Sequence, residues 1–378
     1  MTHAPASLED ASELLASLSA SRRTIGLTGG QLPGGPAAVS VDDIVSSEKL
    51  NAIVEYAAPD QIVTVQAGTT LSALQRVLAE KDQRLAIDPA QPDQTTVGGL
   101  VASNAYGPLR TRFGTTKDLI VGMTIVRADG TRAHGGGKVV KNVAGFDIPK
   151  LMVGTYGTLA MIGSVTFRLH PRPRVRSRLR VHDVDAARVR ELIRAMTAAQ
   201  LEPSAVIATF DGSSYRCDVS FEGFERGVEA QKSRFATLAG TVTHEAADDP
   251  QDASSRVGTL AVKIAGFPSD LVQLHDHAIA PLHRSLRDAR AALYPSVGVG
   301  FVSGEPDDVP AVLSALSAAR TWAESTGGNV VLEAGPAAIR TAFDPWGSPP
   351  PSFALMRALK DRFDPQRLLA PGGFIGGL

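Results

Sequence analysis

The sequence predicts an α+β protein in which a glycine-rich first part and the C-terminal tail build one site, with a second domain inserted between them. Glycine is concentrated between Gly26 and Gly163 and recurs in the final PGGFIGGL. The first third has the pattern of short strands joined by glycine turns, whereas the middle alternates strand and helix patterns. We therefore expect a first domain over 1–172, an inserted domain over 173–340 and a C-terminal segment, 341–378, that packs on the first.

The composition is that of an ordinary globular protein. The chain has 378 residues, of which 43% are apolar and 20% charged, and its formal net charge is -1. This length allows about two domains. Without a basic excess, no electrostatic argument favours nucleic-acid binding. Because Cys217 is the single cysteine, an intrachain disulfide and a four-thiolate iron–sulfur cluster are both excluded.

The start of the chain predicts no targeting or membrane segment. Residues 1–20 have the pattern of a short amphipathic helix with early acidic residues, and they lack the basic and apolar regions of a secretory signal. No stretch is apolar over the ~18 residues that a transmembrane helix needs. We expect a cytoplasmic protein without a transmembrane segment, and peripheral membrane association through its partners stays open.

The first domain is predicted to contain strands, one long helix and a hairpin. IVEYAA and QIVTVQAG are strands, and TTLSALQRVLAEKD is a helix with Thr70 as its N-cap, since leucines recur at helical spacing. DLIVGMTIVRADGTRAHGG is predicted to be a hairpin around an Ala-Asp-Gly turn. TLAMIGSVTFRLHPRP is predicted to be a buried strand that two prolines end.

The middle domain is predicted to be an antiparallel sheet with helices on one face. One series runs through RSRLRVHDV, a helix in DAARVRELIRAMTAAQ, the strand pair PSAVIATFDG and SYRCDVSFEG, and a second helix. A similar series of strands and helices follows from TLAVKIAGF to NVVLEAG. The two series suggest a structural pseudo-repeat without sequence identity. A linker, FDPWGSPPP, and a final helix, SFALMRALKDRFDP, complete the chain.

Four glycine-rich segments lie in the first domain and suit a pyrophosphate. Glycine lets backbone N–H groups approach an anion, and Thr, Ser and Asn add uncharged donors. Each segment alone is better explained as a tight turn, but four within one domain favour a ligand. The segments are Gly29-Gly30-Gln31; Pro92 to Gly99; Ser103 to Gly107 with the following Arg110, Arg112 and Gly114; and Gly154 to Thr158.

The common nucleotide fingerprints are missing from these segments. Gly26-Leu-Thr-Gly29-Gly30 does not match the dinucleotide motif G-x-G-x-x-G. Gly135-Gly136-Gly137-Lys138 lacks the first spaced glycine and the Ser or Thr of a P-loop. Any dinucleotide site is therefore of another type.

The order VQAGTTLSAL, PDQTTVGGLVASNAYG, FGTTKDLIVGMTIVRADG resembles the PCMH-type FAD-binding domain of the vanillyl-alcohol oxidase superfamily. KNVAGFD and the tail LMRALKDRFDPQRLLAPGGFIGGL resemble, more narrowly, the FAD-binding subunit of bacterial glycolate oxidase. The resemblance covers about 150 N-terminal residues and the last 35. It implies a two-lobed FAD domain with an inserted cap domain, and the middle of the chain matches weakly.

The resemblance also implies positions for the cofactor. Gly29, Gly30 and Gln31 fall on the family's first pyrophosphate loop, and Asp93, Thr95, Thr96, Gly98 and Gly99 on its second phosphate segment. Asn104, Gly107 and Gly114 fall on the stretch beside the isoalloxazine, where Ser103 and Arg110 are further cofactor-binding candidates. The turn with Gly157, which Met161 and Ile162 follow, meets the adenine half. The chain departs from the family pattern at Ala160, Gly373 and Gln31-Leu32.

Several cations accompany these glycines. Arg110, Arg112, Lys138 and Lys141 lie in the glycine-rich part, where a cation at the pyrimidine edge would stabilise an anionic reduced flavin. Any one of them is equally explained as an exposed charge balancing Asp118 or Asp147. Lys141, which opens KNVAGFD, is the preferred flavin partner.

The segment H-x-G-D-G-N-x-H of relatives that oxidise 2-hydroxy acids is absent. The corresponding strand is Val297-Gly298-Val299-Gly300-Phe301, without histidine. His275, His277 and His283 lie on a predicted helix, where two residues two apart face different sides and make a poor chelate. We expect structural histidines, no metal site, unassigned catalytic residues and non-covalently bound FAD.

Three functions remain open at this stage. The leading hypothesis is an FAD-binding subunit of a glycolate-oxidase-like complex, in which a partner flavoprotein oxidises the hydroxy acid and an iron–sulfur subunit removes electrons. The second is a scaffold subunit that keeps the fold and binds no FAD. The third is a self-sufficient FAD-dependent oxidoreductase of another substrate.

Overall fold

A computed structural model describes residues 1–29, 39–137, 146–240, 244–245 and 257–378. The chain divides into two compact units. Unit 1 consists of Met1–Tyr106, Phe113–Arg172 and Ser348–Leu378, and unit 2 of Gly107–Arg112 and Pro173–Gly347. The extents of the three segments expected from the sequence remain predictions.

The strands are β1 (Thr2–His3), β2 (Ile25–Thr28), β3 (Asp43–Ser46), β4 (Ile53–Ala57), β5 (Ile62–Gln66), β6 (Gln83–Arg84), β7 (Ile120–Val126), β8 (Arg132–Gly136), β9 (Met161–Arg168), β10 (His170–Pro171), β11 (Val175–Val184), β12 (Ala205–Phe210), β13 (Tyr215–Gly223), β14 (His244–Glu245), β15 (Leu260–Ala265), β16 (Arg287–Tyr294), β17 (Val299–Glu305) and β18 (Asn329–Ala334). The α-helices are α1 (Leu8–Ala20), α2 (Leu71–Ala79), α3 (Val97–Ser103), α4 (Arg110–Phe113), α5 (Thr116–Leu119), α6 (Ile148–Met152), α7 (Ala186–Ala198), α8 (Glu225–Ala239), α9 (Leu271–Leu274), α10 (Ala280–Arg284), α11 (Val309–Ser325), α12 (Ala337–Ala342) and α13 (Phe353–Phe363).

Unit 1 contains two principal sheets. A three-stranded parallel sheet has the order β1-β3-β2, and a five-stranded antiparallel sheet has the order β4-β5-β9-β7-β8. The expected hairpin is confirmed, since β7 and β8 pair antiparallel around Gly130, whose φ is +81°. The strands β2 and β3 were not predicted individually, because four residues are too few to show an alternating pattern.

Local sequence explains the two longer helices of the first part. Ser7 and Asp10 form a reciprocal capping box that begins α1, and Thr70 accepts a hydrogen bond from the Ala73 N–H to begin α2. Both helices were expected, and the N-cap at Thr70 is confirmed. Their apolar faces are buried because leucines recur every three or four residues, at Leu15 and Leu18 in α1.

The end of the chain returns to unit 1. The Ile25 N–H donates to the Leu368 carbonyl (2.7 Å), and the Ala370 N–H donates to the Ile25 carbonyl (2.8 Å). Leu369 is fully buried in the same apolar cluster as Ile25. The tail therefore lies parallel to β2 as an additional extended segment.

Unit 2 contains an eight-stranded sheet of order β14-β11-β13-β12-β16-β17-β15-β18. The series β11-α7-β12-β13-α8-β14 contributes one half and the series from β15 to β18 contributes the other in reverse order. Each half has the β-α-β-β-α-β arrangement. The halves join where β12 pairs antiparallel with β16. The structural pseudo-repeat is therefore confirmed, and β16, which had no predicted counterpart, completes it.

The helices of unit 2 pack on one face of this sheet. Alternate residues of the strands, such as Val206 and Ala208 of β12, share an apolar cluster with Val189 of α7 and Leu316 of α11. Ile207, between them, is not in that cluster. This period of two is the pattern of a sheet with one face covered by helices, so the α+β prediction is confirmed.

Candidate functional site

Two glycine-rich segments that are distant in sequence meet at the end of β2. A β-carbon added at Gly29 would overlap the Thr96 hydroxyl and lie 3.2 Å from the Gly99 nitrogen. Only glycine therefore fits at position 29 while Thr96 keeps its place. The first glycine-rich loop and the second phosphate segment, which were predicted as separate loops, therefore form one surface.

The N-terminus of α3 differs from the sequence interpretation. Thr96 is its N-cap and accepts a hydrogen bond from the Gly99 N–H (3.2 Å). The Gly98 N–H donates to the Ala67 carbonyl at 2.7 Å, and a β-carbon at Gly98 would lie 3.0 Å from the Ala67 β-carbon. Gly98 is thus required for close packing of backbone on backbone, and its N–H is already used within the protein. Both N–H groups are therefore engaged within the protein, that of Gly98 by the Ala67 carbonyl and that of Gly99 by the Thr96 hydroxyl, and the assignment of these glycines to the cofactor stays a prediction.

Gly99 presents a different environment. Among the described residues, and apart from the backbone of its own helix, a β-carbon there would meet only the Thr96 hydroxyl, at 3.2 Å. The part of the chain that the structure describes therefore leaves space for a ligand beside Gly99. Because the Thr96 hydroxyl accepts from Gly99, its proton remains available for donation to an anion.

Hydrogen bonds of Thr95 fix the loop that precedes α3. The buried Thr95 hydroxyl donates to the Gln91 carbonyl (3.0 Å), and its backbone carbonyl accepts from the Leu71 N–H (2.8 Å). Asp93 is exposed. Thr95 thus shapes the loop, whereas Asp93 lies on the surface.

The C-terminal end of α3 meets the fourth glycine segment. Asn104 ends the helix in the left-handed conformation, with φ +50°, and the Ser103 hydroxyl donates to the Gly99 carbonyl (2.6 Å). The N–H groups of Gly154 and Tyr156 donate to carbonyls of α3 at 3.0 and 2.9 Å. The Asn104 Oδ1 atom is buried without a hydrogen-bond partner among the described residues. Such an atom is an available acceptor within the site.

The fourth segment also packs on β2. Gly157 has φ +74°, and a β-carbon there would lie 3.2 Å from the Leu27 β-carbon. Leu27 is two residues before Gly29 in the sequence. The three segments around Gly29, Thr96 to Asn104 and Gly154 to Gly157 are therefore in mutual contact.

A buried lysine that the sequence did not single out holds the turn after Gly157. Lys360 Nζ donates to the Thr158 carbonyl, the Leu369 carbonyl and the Asp364 carboxylate, each at 2.8 Å. Burial lowers the pKa of Lys360, and its bond to Asp364 opposes that shift. The only sequence signal was a lysine and an aspartate one helical turn apart before the glycine tail, which also describes a common surface pair.

The third segment is divided between the units. Gly107 and Arg110 belong to unit 2, where the Arg110 N–H donates to the Gly107 carbonyl (3.1 Å). Gly114, with φ +77°, belongs to unit 1 and packs against Asp118. Arg112 pairs with Glu202 of unit 2, with Nη2 3.1 Å from the carboxylate, so it acts as a bridge within that unit.

Met161 and Ile162 begin β9. Both side chains are buried in the core, and both residues pair with β7 opposite Val126 and Ile125. On the other side of β9 the pairing with β5 ends at Ser164. Ala160 is also buried.

Some predicted positions cannot be placed. Gly30, Gln31, Lys138 and Lys141 lie outside the described residues. The expected pyrimidine-edge cation at Lys141 and the Gln31-Leu32 departure therefore stay predictions.

His275, His277 and His283 of unit 2 pack against aromatic side chains. His275 Nδ1 is 2.8 Å from the Tyr215 hydroxyl, and both His275 and His283 contact the Phe210 ring edge-on. His277 stacks on Trp322. Burial lowers the pKa of His275 and of His283. These contacts are those of packed side chains, and the interpretation of the three histidines as structural stays a prediction.

The strand compared with the histidine-rich segment is a packing element. A β-carbon at Gly300 of β17 would overlap the side chain of Ile279. Among the described residues, no group of three or more His, Cys, Asp or Glu side chains is arranged as metal ligands. Burial raises the pKa of Cys217 to about 12, in keeping with a small core residue.

No helix within the described ranges is long and apolar enough to cross a membrane.

The family described as FAD binding domain matches residues 1–136. Glycolate oxidase subunit GlcE of Escherichia coli is 31% identical over 183 residues, which cover 48% of this chain and 50% of that protein. The chain thus spans half the length of this relative. An uncharacterized FAD-linked oxidoreductase of Mycobacterium tuberculosis is 24% identical over 98% of this chain and 90% of that protein.

Two further comparisons cover most of the chain. D-lactate dehydrogenase of Archaeoglobus fulgidus is 27% identical over 90% of this chain and 83% of that protein. The solved structure of an alkyldihydroxyacetonephosphate synthase has a TM-score of 0.70 at 16% identity and covers 98% of this chain and 75% of that one. At this identity the structural similarity establishes the fold alone.

The resemblance drawn from the sequence, the PCMH-type fold and the FAD cofactor are confirmed by these matches. Residues 1–136 thus match an FAD binding domain, and the chain is similar over part or most of its length to glycolate oxidase subunits, an FAD-linked oxidoreductase and a D-lactate dehydrogenase.

Proposed function

We propose that the chain binds one FAD non-covalently in unit 1 and serves as the FAD-binding subunit of a glycolate-oxidase-like complex that oxidises 2-hydroxy acids. The observation that carries the cofactor site is the meeting of Gly29 with Thr96 and Gly99, where the described residues leave space beside a hydroxyl donor. The subunit role rests on the relation to GlcE of Escherichia coli. Its partners in this proposal are a catalytic flavoprotein and an iron–sulfur subunit.

The residues present fit an FAD. Gly29 and Gly99 lack the β-carbons that would fill the space between the first two loops. The Thr96 hydroxyl can donate to the pyrophosphate, and Asn104 Oδ1 can accept from an N–H of the cofactor. Gly157, with φ +74°, lets the fourth turn approach the same region. Neutral donors suit a pyrophosphate because they bind it without a buried cation that would otherwise need a partner.

Bound FAD would supply two-electron chemistry by accepting a hydride. The oxidation of a 2-hydroxy acid also needs a base for the hydroxyl proton, typically worth about 10²–10⁴ in rate, and benefits from a cation for the carboxylate. In unit 2, Gly300 and the histidines serve packing, and Arg112 is paired with Glu202. These contacts favour the assignment of substrate chemistry to a partner subunit.

A self-sufficient dehydrogenase is the second candidate. It is favoured by the D-lactate dehydrogenase of Archaeoglobus fulgidus, which aligns over 90% of this chain. A scaffold without FAD is the third, and the retained glycines at positions 29 and 99 argue against it because a scaffold does not need open space there.

Two measurements on the purified chain distinguish these functions. The subunit proposal expects a yellow protein whose FAD is released when the protein is denatured. A colourless protein that takes up no FAD on titration would establish the scaffold, and flavin retained after denaturation would contradict non-covalent binding.

The second measurement is anaerobic mixing of the FAD-loaded chain with excess glycolate or D-lactate. The proposal expects no bleaching of the flavin band by the chain alone, and bleaching once the partner flavoprotein is added. Rapid bleaching by the isolated chain would show a complete dehydrogenase.

A further inference from the structure

Lys360 occupies an unusual position for a lysine. Its exposed fraction is 1%, and its ammonium group has three acceptors at 2.8 Å, namely the Asp364 carboxylate and the carbonyls of Thr158 and Leu369. An ammonium group has three protons, so each is used. Asp364 is fully buried and also accepts the N–H groups of Leu368 and Leu369, at 3.0 and 2.8 Å.

The three acceptors belong to segments that lead to the candidate FAD site. Thr158 ends the turn that begins at Gly154, and its hydroxyl donates to the Thr155 carbonyl within that turn (2.7 Å). Leu369 lies beside Ile25 of β2, and β2 ends one residue before Gly29. Lys360 therefore joins the fourth glycine turn to the strand that carries the first.

The remainder of α13 contributes little burial. Lys360 is the one residue of the helix that is buried, whereas Leu355 is 63% exposed. Phe363 is only partly buried against the core of the antiparallel sheet. Half-buried apolar residues of α13 and hydrogen bonds from Arg127 to the Arg362 and Phe363 carbonyls also dock the helix. The ammonium group is its most deeply buried contact, and a buried charged pair that loses one partner costs far more than a surface pair contributes.

We propose that Lys360 is a positioning residue for FAD, which holds the Gly154 to Thr158 turn and the tail beside β2 in the arrangement that binds the cofactor. This inference rests on the FAD site proposed above. Without the ammonium group, the binding-competent arrangement becomes only one of several that the turn and tail adopt. The apparent dissociation constant of FAD then rises in inverse proportion to the fraction that remains competent.

The test replaces Lys360 by methionine, which keeps the length of the side chain and removes the three hydrogen bonds. Arg362→Met is the control, because Arg362 is exposed on the same helix. FAD affinity is measured by titration well below the melting temperature, with the visible circular dichroism of the bound flavin as a second signal. We expect at least about a tenfold weaker affinity and an altered flavin spectrum for Lys360→Met, and wild-type behaviour for Arg362→Met.

A second measurement needs no variant. Coupling between two sites is reciprocal, so FAD should slow amide exchange of Leu368 and Leu369 more than that of α11 in unit 2. Equal exchange rates of the Leu368 and Leu369 amides with and without FAD would overturn the inference. A wild-type FAD affinity and flavin spectrum in Lys360→Met would overturn it as well. If Lys360→Met does not fold, the exchange experiment alone decides. Failure of the wild-type chain to bind FAD would instead refute the proposed cofactor site.

Discussion

Gly29 and Thr96 lie so close that a β-carbon on the glycine would occupy the place of the threonine hydroxyl. They are far apart in the sequence and belong to different elements, the end of β2 and the N-cap of α3. Their contact makes one surface out of two glycine-rich loops. It also defines how each residue should respond to substitution.

Gly29→Ala should destabilise unit 1 and abolish FAD binding, because the new methyl group overlaps the Thr96 hydroxyl. Removing that hydroxyl in Gly29→Ala/Thr96→Ala should restore part of the stability, since the Thr96 β-carbon would lie 3.5 Å away. Thr96→Ala alone should cost about 1 kcal/mol through loss of the N-cap. Thermal melting of the four proteins gives the coupling energy. Additive effects would show that the two residues are not in contact.

Gly98 and Gly99 should respond differently although they are neighbours. Gly98→Ala presses on Ala67 and should lower the melting temperature, whereas Gly99→Val enters open space and should leave the fold intact but exclude FAD. Melting curves of the FAD-free proteins and FAD titrations separate the two effects. Full flavin content in Gly99→Val would place the phosphate site elsewhere.

Asn104→Gly should weaken FAD binding with little effect on the fold. Glycine accepts the left-handed conformation that Asn104 adopts, so the substitution removes Oδ1 while keeping the backbone. The loss of one hydrogen bond, about 1 kcal/mol, corresponds to a dissociation constant roughly five times larger. Gln61→Gly is the matched control, because Gln61 is exposed and has φ 55°. An equal loss of affinity in both variants would remove Asn104 from the site.

Unit 1 should lose stability in acid through Asp43. The side chain is 1% exposed, and its hydrogen bonds from Arg23 and His3 hold its pKa well below the ordinary value. A carboxylate with a lowered pKa in the folded state stabilises the protein above its unfolded pKa, and this contribution disappears as the pH falls. Asp43→Asn should therefore lower stability at neutral pH and flatten the decline below about pH 4. The melting temperature of both proteins is measured as a function of pH. A difference between variant and wild type that stays constant at all pH values would contradict this role of Asp43.

Local sequence was sufficient for much of the fold. The capping box of Ser7, the N-cap Thr70 and the β7–β8 hairpin could be predicted because each depends on residues within a few positions of one another. The pseudo-repeat of unit 2 was visible as two series of alternating patterns. Strand β16 was not predicted, because its first residues, from Arg287 to Arg290, are mostly polar and exposed. They obscure the apolar pattern of the residues that follow.

Part of the candidate site could also be predicted from the sequence. Its glycines stood out in the sequence because a residue without a β-carbon is informative wherever it recurs, and the family resemblance ordered them along an FAD. The sequence also determined that a single thiol, Cys217, cannot hold a disulfide or a cluster.

Only the tertiary structure decided what each residue of the site does. It showed that Gly98 packs on Ala67 while Gly99 borders open space, and that Arg112 is occupied by Glu202. It also revealed Lys360, whose place in the sequence is that of a surface lysine. The physical reason is that burial and hydrogen-bond partners arise from contacts between segments far apart in the chain, and no local pattern records which segments will meet.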